Sequence, residues 1–280
     1  MAVTNAFSVD VEDYFQVRSF ESVVPYSSWS SYEPRVGRST RRLLDLLAAR
    51  GVRGTFFVLG WNARRDPGLV KDISRAGHEI ASHGWSHKPV YRMSPEDFRA
   101  EATETKAVLE DITGSPVLGF RASNYSIVSS TLWALDILVE TGHLYDSSIF
   151  PIRRRAYGIP GEQVDPHERQ TGKGALVEFP MSTYRLAGQN LPFGSGAYLR
   201  LLPSDLTALL VRRLNSKARP AVVSVHPWEL DPDQPRIRSW IARPNHYAFL
   251  GRTLPRLDSL LRQFKFESMA ALLRQAGLLR

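Results

Sequence analysis

The run Asn5–Val11 reads as a buried strand that ends in acids. Thr40–Arg50 carries Leu43, Leu44, Leu46 and Leu47 on one side and is followed by Gly51, so it predicts a helix with its stop signal. Arg53–Leu59 is rich in β-branched and aromatic residues and predicts a strand; Asp66–Ala76, closed by Gly77, predicts a helix. Glu79–Ser82 is a short strand. Ser94–Ile112 opens on Ser-Pro-Glu-Asp, a good helix start, and runs to Gly114. Further strands are predicted at Val117–Arg121, His143–Asp146, Leu176–Phe179 and Ala221–His226, and further helices at Ser130–Thr141, Pro203–Asn215, Leu254–Gln263 and Ser268–Gln275.

Strands that alternate with helices imply an α/β fold: a mostly parallel sheet covered by helices, with right-handed crossovers. Such sheets build their sites at the carboxyl ends of the strands. Asp10, Glu12 and Asp13 end the first strand, His83 the third, Arg121 the fourth and His226 the last. One core with one shared rim is more economical than two domains, so residues 1–280 are expected to form a single domain. Pro151–Gly174 is long, irregular and rich in Gly, Pro and Arg, and reads as a lid or surface insertion.

Composition adds limits. Hydrophobic residues make up 43% of 280 residues, an ordinary globular share. No uninterrupted apolar run approaches the length of about 18 residues that a membrane span needs. The start, Met1–Phe7, shows no basic segment followed by an apolar run, so a cytoplasmic location is expected. The chain has no cysteine, which excludes disulfides and thiol ligands. The net charge of +8 is carried mostly by arginine, in local clusters such as Arg153–Arg155 and Arg212–Arg213, without a basic stripe interleaved with aromatics. That describes a solvated basic surface rather than a nucleic-acid site, although an anionic glycan or membrane surface could be drawn to it. Nothing implies a protein partner.

Four strings carry candidate chemistry. Phe7-Ser-Val-Asp-Val-Glu-Asp13 packs three carboxylates into four residues, with Asp10 and Glu12 on one face of the strand. Carboxylates this close repel, so a cation, an arginine or a retained proton should neutralise them. Ser82-His-Gly-Trp-Ser-His87 supplies two imidazoles that a helical turn or a tight loop can converge. Two imidazoles and a carboxylate hold a catalytic metal while leaving positions open for water and substrate. In Gly119-Phe-Arg-Ala-Ser-Asn-Tyr125, Arg121 follows an apolar strand and needs a carboxylate partner at the same rim. His226, in Val222-Val-Ser-Val-His-Pro-Trp228, ends a buried strand where it could transfer a proton.

In this order the strings resemble the polysaccharide deacetylase family, the NodB-homology or carbohydrate esterase family four enzymes, over about Phe7 to Glu229. Ser-Val-Asp-Val-Glu-Asp-Tyr-Phe-Gln-Val (8–17), His-Pro-Trp-Glu (226–229) and a C-terminal extension of about 230–280 resemble more narrowly the exopolysaccharide subgroup found beside exosortase systems. The resemblance implies a distorted (β/α)7 barrel and a divalent metal, usually zinc, held by His83, His87 and a carboxylate. It implies Asp10 as general base, and either Glu12 or Asp13 as the third ligand. It implies Arg121 as partner of the base, His226 as general acid and Asp146 as the buried acid that orients His226. The family's proline-rich arginine motif is replaced by Ala122-Ser-Asn-Tyr125, so an N–H near Asn124 or Tyr125 is expected at the oxyanion. Ser224 stands where relatives often carry an apolar residue.

The activity implied is hydrolysis of N-acetyl groups on amino sugars of a bacterial exopolysaccharide or its precursor, with an N-acetylated glycan as substrate. Tyr184, Phe193, Tyr198 and Trp228 could stack on sugar rings. Two other readings compete: a hydrolase of small cyclic or linear amides on the same scaffold, and a non-catalytic glycan-binding protein.

Overall fold

The computed structural model describes residues 2–154, 157–237 and 244–279. The strands are β1 (Thr4–Val11), β2 (Thr55–Val58), β3 (Glu79–Ser82), β4 (Gly119–Phe120), β5 (Tyr145–Asp146), β6 (His167–Thr171), β7 (Gly174–Glu178), β8 (Thr183–Leu186), β9 (Gln189–Pro192), β10 (Val222–Val225) and β11 (Lys265–Glu267). The helices are α1 (Val36–Arg50), α2 (Gly60–Arg65), α3 (Pro67–Arg75), α4 (Pro95–Thr113), α5 (Trp133–Glu140), α6 (Gly196–Leu201), α7 (Ser204–Asn215), α8 (Pro244–Tyr247), α9 (Leu250–Gln263) and α10 (Met269–Gln275). The longest, α4, begins as its sequence dictates: the Ser94 side chain accepts the Asp97 N–H, Pro95 takes the first turn, and Gly114 ends the helix at φ 65°.

Seven parallel strands run in the order β10-β1-β2-β3-β4-β5-β7, an α/β fold as expected. β6 adds to β7 antiparallel, and β11 pairs with the first residues of β1. Among the described residues no ladder joins β7 to β10, so the expected barrel has a seam. The seam edge of β10 is still satisfied: the Val222 N–H donates to Ser182 Oγ at 2.6 Å and the Ser224 N–H to the Gly194 carbonyl at 2.8 Å. Gly194, at φ 75°, would place a Cβ 2.9 Å from the Val222 carbonyl, so this approach needs glycine.

Part of the segment expected to be irregular is β6. Its residues, His-Glu-Arg-Gln-Thr, show no apolar alternation, because this edge strand is only half covered. The hairpin β8–β9, with Ala187 and Gly188 both at positive φ in its turn, is similarly exposed and gives little pattern. Arg155 of the Arg153–Arg155 cluster lies outside the described residues.

Period-two alternation in β1 and β10 sorts the interior from the helical layer. Phe7, Val9, Val11, Val223 and Val225 pack outward against Leu43, Leu47, Leu69 and Ile73. Ala6 and Val222 pack inward with Phe57, Ala81 and Tyr145. Met269, Ala270 and Leu273 of α10 join this inner cluster, and the Met269 N–H donates to Thr55 Oγ1, so α10 covers the amino-terminal ends of the strands. Above Ala6 and Val222 the inward positions turn polar: Ser8 and its register partner Ser224, then Asp10 and His226.

Arg121 fills that level and has no exposed surface. Its Nη1 donates to Asp10 Oδ1 (2.7 Å), Ser8 Oγ (3.0 Å) and Ser224 Oγ (3.2 Å), and its Nε and Nη2 donate to the Ser147 carbonyl and hydroxyl. The guanidinium lies over the Phe57 ring at 4.0 Å. This explains a serine at 224: an apolar side chain there would leave a guanidinium N–H without one of its acceptors. No helix among the described residues is long and apolar enough to cross a membrane.

Breaking this pair strands a buried charge. Arg121→Met is expected to destabilise the protein by about 3–5 kcal/mol, read as a lower urea midpoint. A midpoint equal to that of the parent would show that the network contributes nothing.

Candidate metal centre

The two histidines converge through a loop, not a helix. After β3 the chain turns with Gly84 at φ 71° and His87 at φ 57°. Glu101 of α4 grips this turn, accepting the Trp85 N–H (3.0 Å), the Ser86 N–H (3.1 Å) and the Ser86 hydroxyl (2.5 Å). Glu101 was not legible beforehand, since a glutamate in a helix carries no signal of its target.

His83 Nε2 and His87 Nε2 each lie 3.0 Å from Glu12 Oε1. His83 Nδ1–H donates to the Arg121 carbonyl at 2.7 Å. A neutral His83 in that tautomer aims its Nε2 lone pair at an anionic oxygen, which is favourable only with a cation between them. Two imidazole nitrogens and one carboxylate oxygen, all buried, therefore fit a divalent metal. Burial raises the Glu12 pKa, but His87, His226 and His83 outweigh it and hold the carboxyl well below its ordinary range.

Asp13, the other expected ligand, is committed elsewhere. Its carboxylate accepts the N–H groups of Arg35 (2.7 Å) and Val36 (2.9 Å) at the start of α1, and that of Tyr14 (2.8 Å). Strand alternation accounts for this: Glu12 continues the inward face of Asp10, and Asp13 turns away. Burial raises the Asp13 pKa to about 6 despite those bonds.

Asp10 and His226 flank the three donors. Asp10 Oδ1 is held by Arg121, and Asp10 Oδ2 lies 3.8 Å from His226 Nε2, which is also 3.9 Å from Glu12 Oε1. The expectation that Asp146 orients His226 is not met. Among the described residues no hydrogen bond or ion pair links them. Asp146 instead accepts from the Ser148 hydroxyl (2.5 Å) and N–H (3.1 Å), and Ser148 Oγ accepts the Ala122 N–H at 2.7 Å, bracing the loop after Arg121. Burial raises the Asp146 pKa; burial and then Asp146 raise that of Glu178, its partner across the β5–β7 ladder. The carboxylate on His226 is Glu229, whose Oε2 accepts Nδ1–H at 2.9 Å. Spacing could have shown this, because a glutamate three residues on from a helix cap folds back onto it.

A cleft of about 530 Å³ opens above these groups, lined by Asp10, Glu12, His87, Asn124, Tyr125, Tyr157, His226 and Trp228 among others. Asn124 (φ 58°) and Tyr125 (φ 52°) are both left-handed, and the Tyr125 N–H is already given to the Ala122 carbonyl. Trp228 offers no bare face: it stacks on His226 and His246, lies under the Arg200 guanidinium and is 8% exposed. Phe193 is core, packed with Val211, Leu214 and Ala221, and Tyr184 is among the side chains packed against that cluster. Tyr198 accepts from Arg154. Tyr157, which lines the cleft, was not anticipated.

Residues 29–139 match the polysaccharide deacetylase family. This part of the chain is similar to that family. Residues 147–274 match a domain of unknown function, DUF3473. The chain is 32% identical over 98 residues to a peptidoglycan-N-acetylglucosamine deacetylase of Bacillus cereus, covering 35% of this chain and 36% of that protein. It is 36% identical over 75 residues to the peptidoglycan-N-acetylglucosamine deacetylase PgdA of Listeria monocytogenes, covering 27% and 16%. The chain thus spans well under two thirds of these relatives. Its fold resembles that of a Mycobacterium smegmatis protein assigned to the polysaccharide deacetylases (TM-score 0.62, 22% identity, 100% and 96% of the two chains). It also resembles Puue allantoinase (0.59, 18%, 92% and 82%) and a CE4 family pseudoenzyme from Bacillus anthracis (0.51, 15%, 97% and 66%).

Glu12→Ala is expected to abolish stoichiometric metal binding, read by elemental analysis. Asp13→Ala is expected to keep the metal and lose about 1–3 kcal/mol of stability. The reverse pattern would make Asp13 the ligand.

Proposed function

We propose that this chain is a metal-dependent N-deacetylase acting on an N-acetylated bacterial exopolysaccharide or its precursor, of the exosortase-associated kind. The observation that carries this reading is the convergence of Glu12, His83 and His87, with Asp10 and His226 to either side. The N,N,O donor set suits zinc. When bound, such an ion supplies an acidified water and polarises the substrate carbonyl.

The chain's own groups do the rest. Asp10, oriented by Arg121, takes the proton from the attacking water as general base. The Asn124 N–H is the loop donor assigned to the developing oxyanion, since that of Tyr125 is spent within the turn. His226 gives its Nε2 proton to the leaving amine, which would otherwise depart slowly. A polymeric substrate is supported by a second hollow of about 690 Å³, which shares Val17, Arg18, His87 and Asn124 with the first and continues past Tyr26 and Trp29. That length favours a glycan over the small imides and ureides of the competing reading. The fold alone does not choose, because it is shared with an allantoinase and a pseudoenzyme. The complete set of donors and proton-transfer groups argues against a purely binding role.

Acetate release from N-acetylglucosamine oligomers tests the reading, with hydantoins and ureides as comparison. The expected result is deacetylation that chelation abolishes and zinc restores; turnover of the small imides alone would overturn it. His226→Ala is expected to retain the metal and lose about 10²–10⁴ in kcat. Unchanged turnover would remove His226 from the reaction.

A further inference from the structure

Glu229 holds His226 by two bonds, accepting both its Nδ1–H and its backbone N–H at 2.9 Å. This grip fixes the ring with Nε2 towards Asp10 and Glu12. The other carboxylate oxygen, Glu229 Oε1, accepts from Arg200 Nε at 2.7 Å. Both side chains of this pair are buried, at 1% and 2% exposure. Arg200 is anchored in turn: Nη1 donates to the carbonyls of His246 (3.1 Å) and Ala248 (2.7 Å). It touches His226 by a second route, since its guanidinium lies 5.2 Å from the Trp228 ring, which stacks on the His226 ring. Gly196, at the start of the same helix α6, completes the seat; a Cβ there would stand 3.6 Å from His226 Cε1.

A buried ion pair costs more to desolvate than it returns unless its remaining groups are satisfied. Here the Glu229 carboxylate is satisfied by Arg200 on one oxygen and by the ring and backbone N–H groups of His226 on the other. Burial works against the Glu229 charge, but Arg200 and then His226 outweigh it and hold the carboxyl at about 2. The residues involved, Arg200, His226, Trp228, Glu229, His246 and Ala248, all fall within the region of unknown function, 147–274. Asp10 and Glu12 precede the deacetylase match, and only His83, His87 and Arg121 fall inside it.

We propose that Glu229 is the positioning residue of His226 and that Arg200, tied to the carbonyls of 246 and 248, holds Glu229 in place, so that the 147–274 region supplies the proton-donating half of the active site. The proposal rests on the deacetylase reading for its kinetic consequence, and on the hydrogen-bond geometry alone for its spectroscopic one.

Two readouts on the metal-loaded full chain test it. The first is turnover of N-acetylglucosamine oligomers, whose amine must be protonated to leave, against turnover of 4-nitrophenyl acetate, whose phenolate leaves without a proton. Glu229→Gln is expected to lower the amide-to-ester ratio of kcat by about 10²-fold or more, with metal content and amide KM held within about twofold. Arg200→Gln is expected to move the ratio in the same direction by about tenfold. An equal loss on both substrates, or no change, would overturn the proposal. A parent protein active on the ester but on no N-acetyl glycan would overturn the deacetylase reading instead. The second readout is the downfield Nδ1 proton of His226 in the NMR spectrum, identified by its loss in His226→Gln. It should vanish in Glu229→Gln and persist in Asp146→Asn. Persistence in Glu229→Gln, or loss only in Asp146→Asn, would contradict the assignment whatever the substrate.

Discussion

A guanidinium with no exposed surface lies directly beneath the candidate metal centre, and its bond to Asp10 sets the geometry above it. Arg121 takes acceptors from four residues in three parts of the chain: Ser8 and Asp10 on β1, Ser147 after β5 and Ser224 on β10. Its backbone carbonyl accepts the His83 Nδ1–H, so the same residue fixes Asp10, the proposed base, and the tautomer of His83, a proposed ligand. Desolvating an arginine is costly, and the interior accommodates it only because hydroxyls stand at the inward positions where a deeper layer would be apolar.

The site is assembled from parts of the chain that differ in kinship. The two histidines and Arg121 come from the deacetylase match, the carboxylates from the strand before it, and His226 with its support from the region of unknown function. The sheet brings these together, since β10 and β2 flank β1 and β3 follows β2. Arg35 adds a further tie: its N–H caps onto Asp13 and its guanidinium pairs with Asp231, joining the start of α1 to the segment after His226.

Much of this was legible in the sequence where a pattern repeats or a charge needs a partner. The helices with clear apolar faces and the strands that lead into Asp10, His83, Arg121 and His226 could be read because burial on one or both faces leaves a periodic trace. The polar edge strand β6 and hairpin β8–β9 leave none. The pairing of Arg121 with a rim carboxylate followed from electrostatics. The choice between Glu12 and Asp13 did not, because it depends on where the chain leaves β1. Analogy points to Asp146 as the carboxylate on His226, a contact that Glu229 makes here. The analogy missed that a local i to i+3 contact can do the work of a distant one. Trp228 looked like a sugar platform for the same reason that it packs on His226: a large flat ring beside a cleft serves either purpose, and only the neighbouring His246 decides.

On the proposed reading, Glu12, His83 and His87 together hold one ion. Anomalous diffraction at the zinc edge, from crystals of the full chain grown with zinc, tests it most directly. The expected result is one strong peak about 2.0–2.2 Å from a Glu12 carboxylate oxygen and from Nε2 of both histidines. A peak coordinated by Asp13, or no peak between the two histidines, would contradict it.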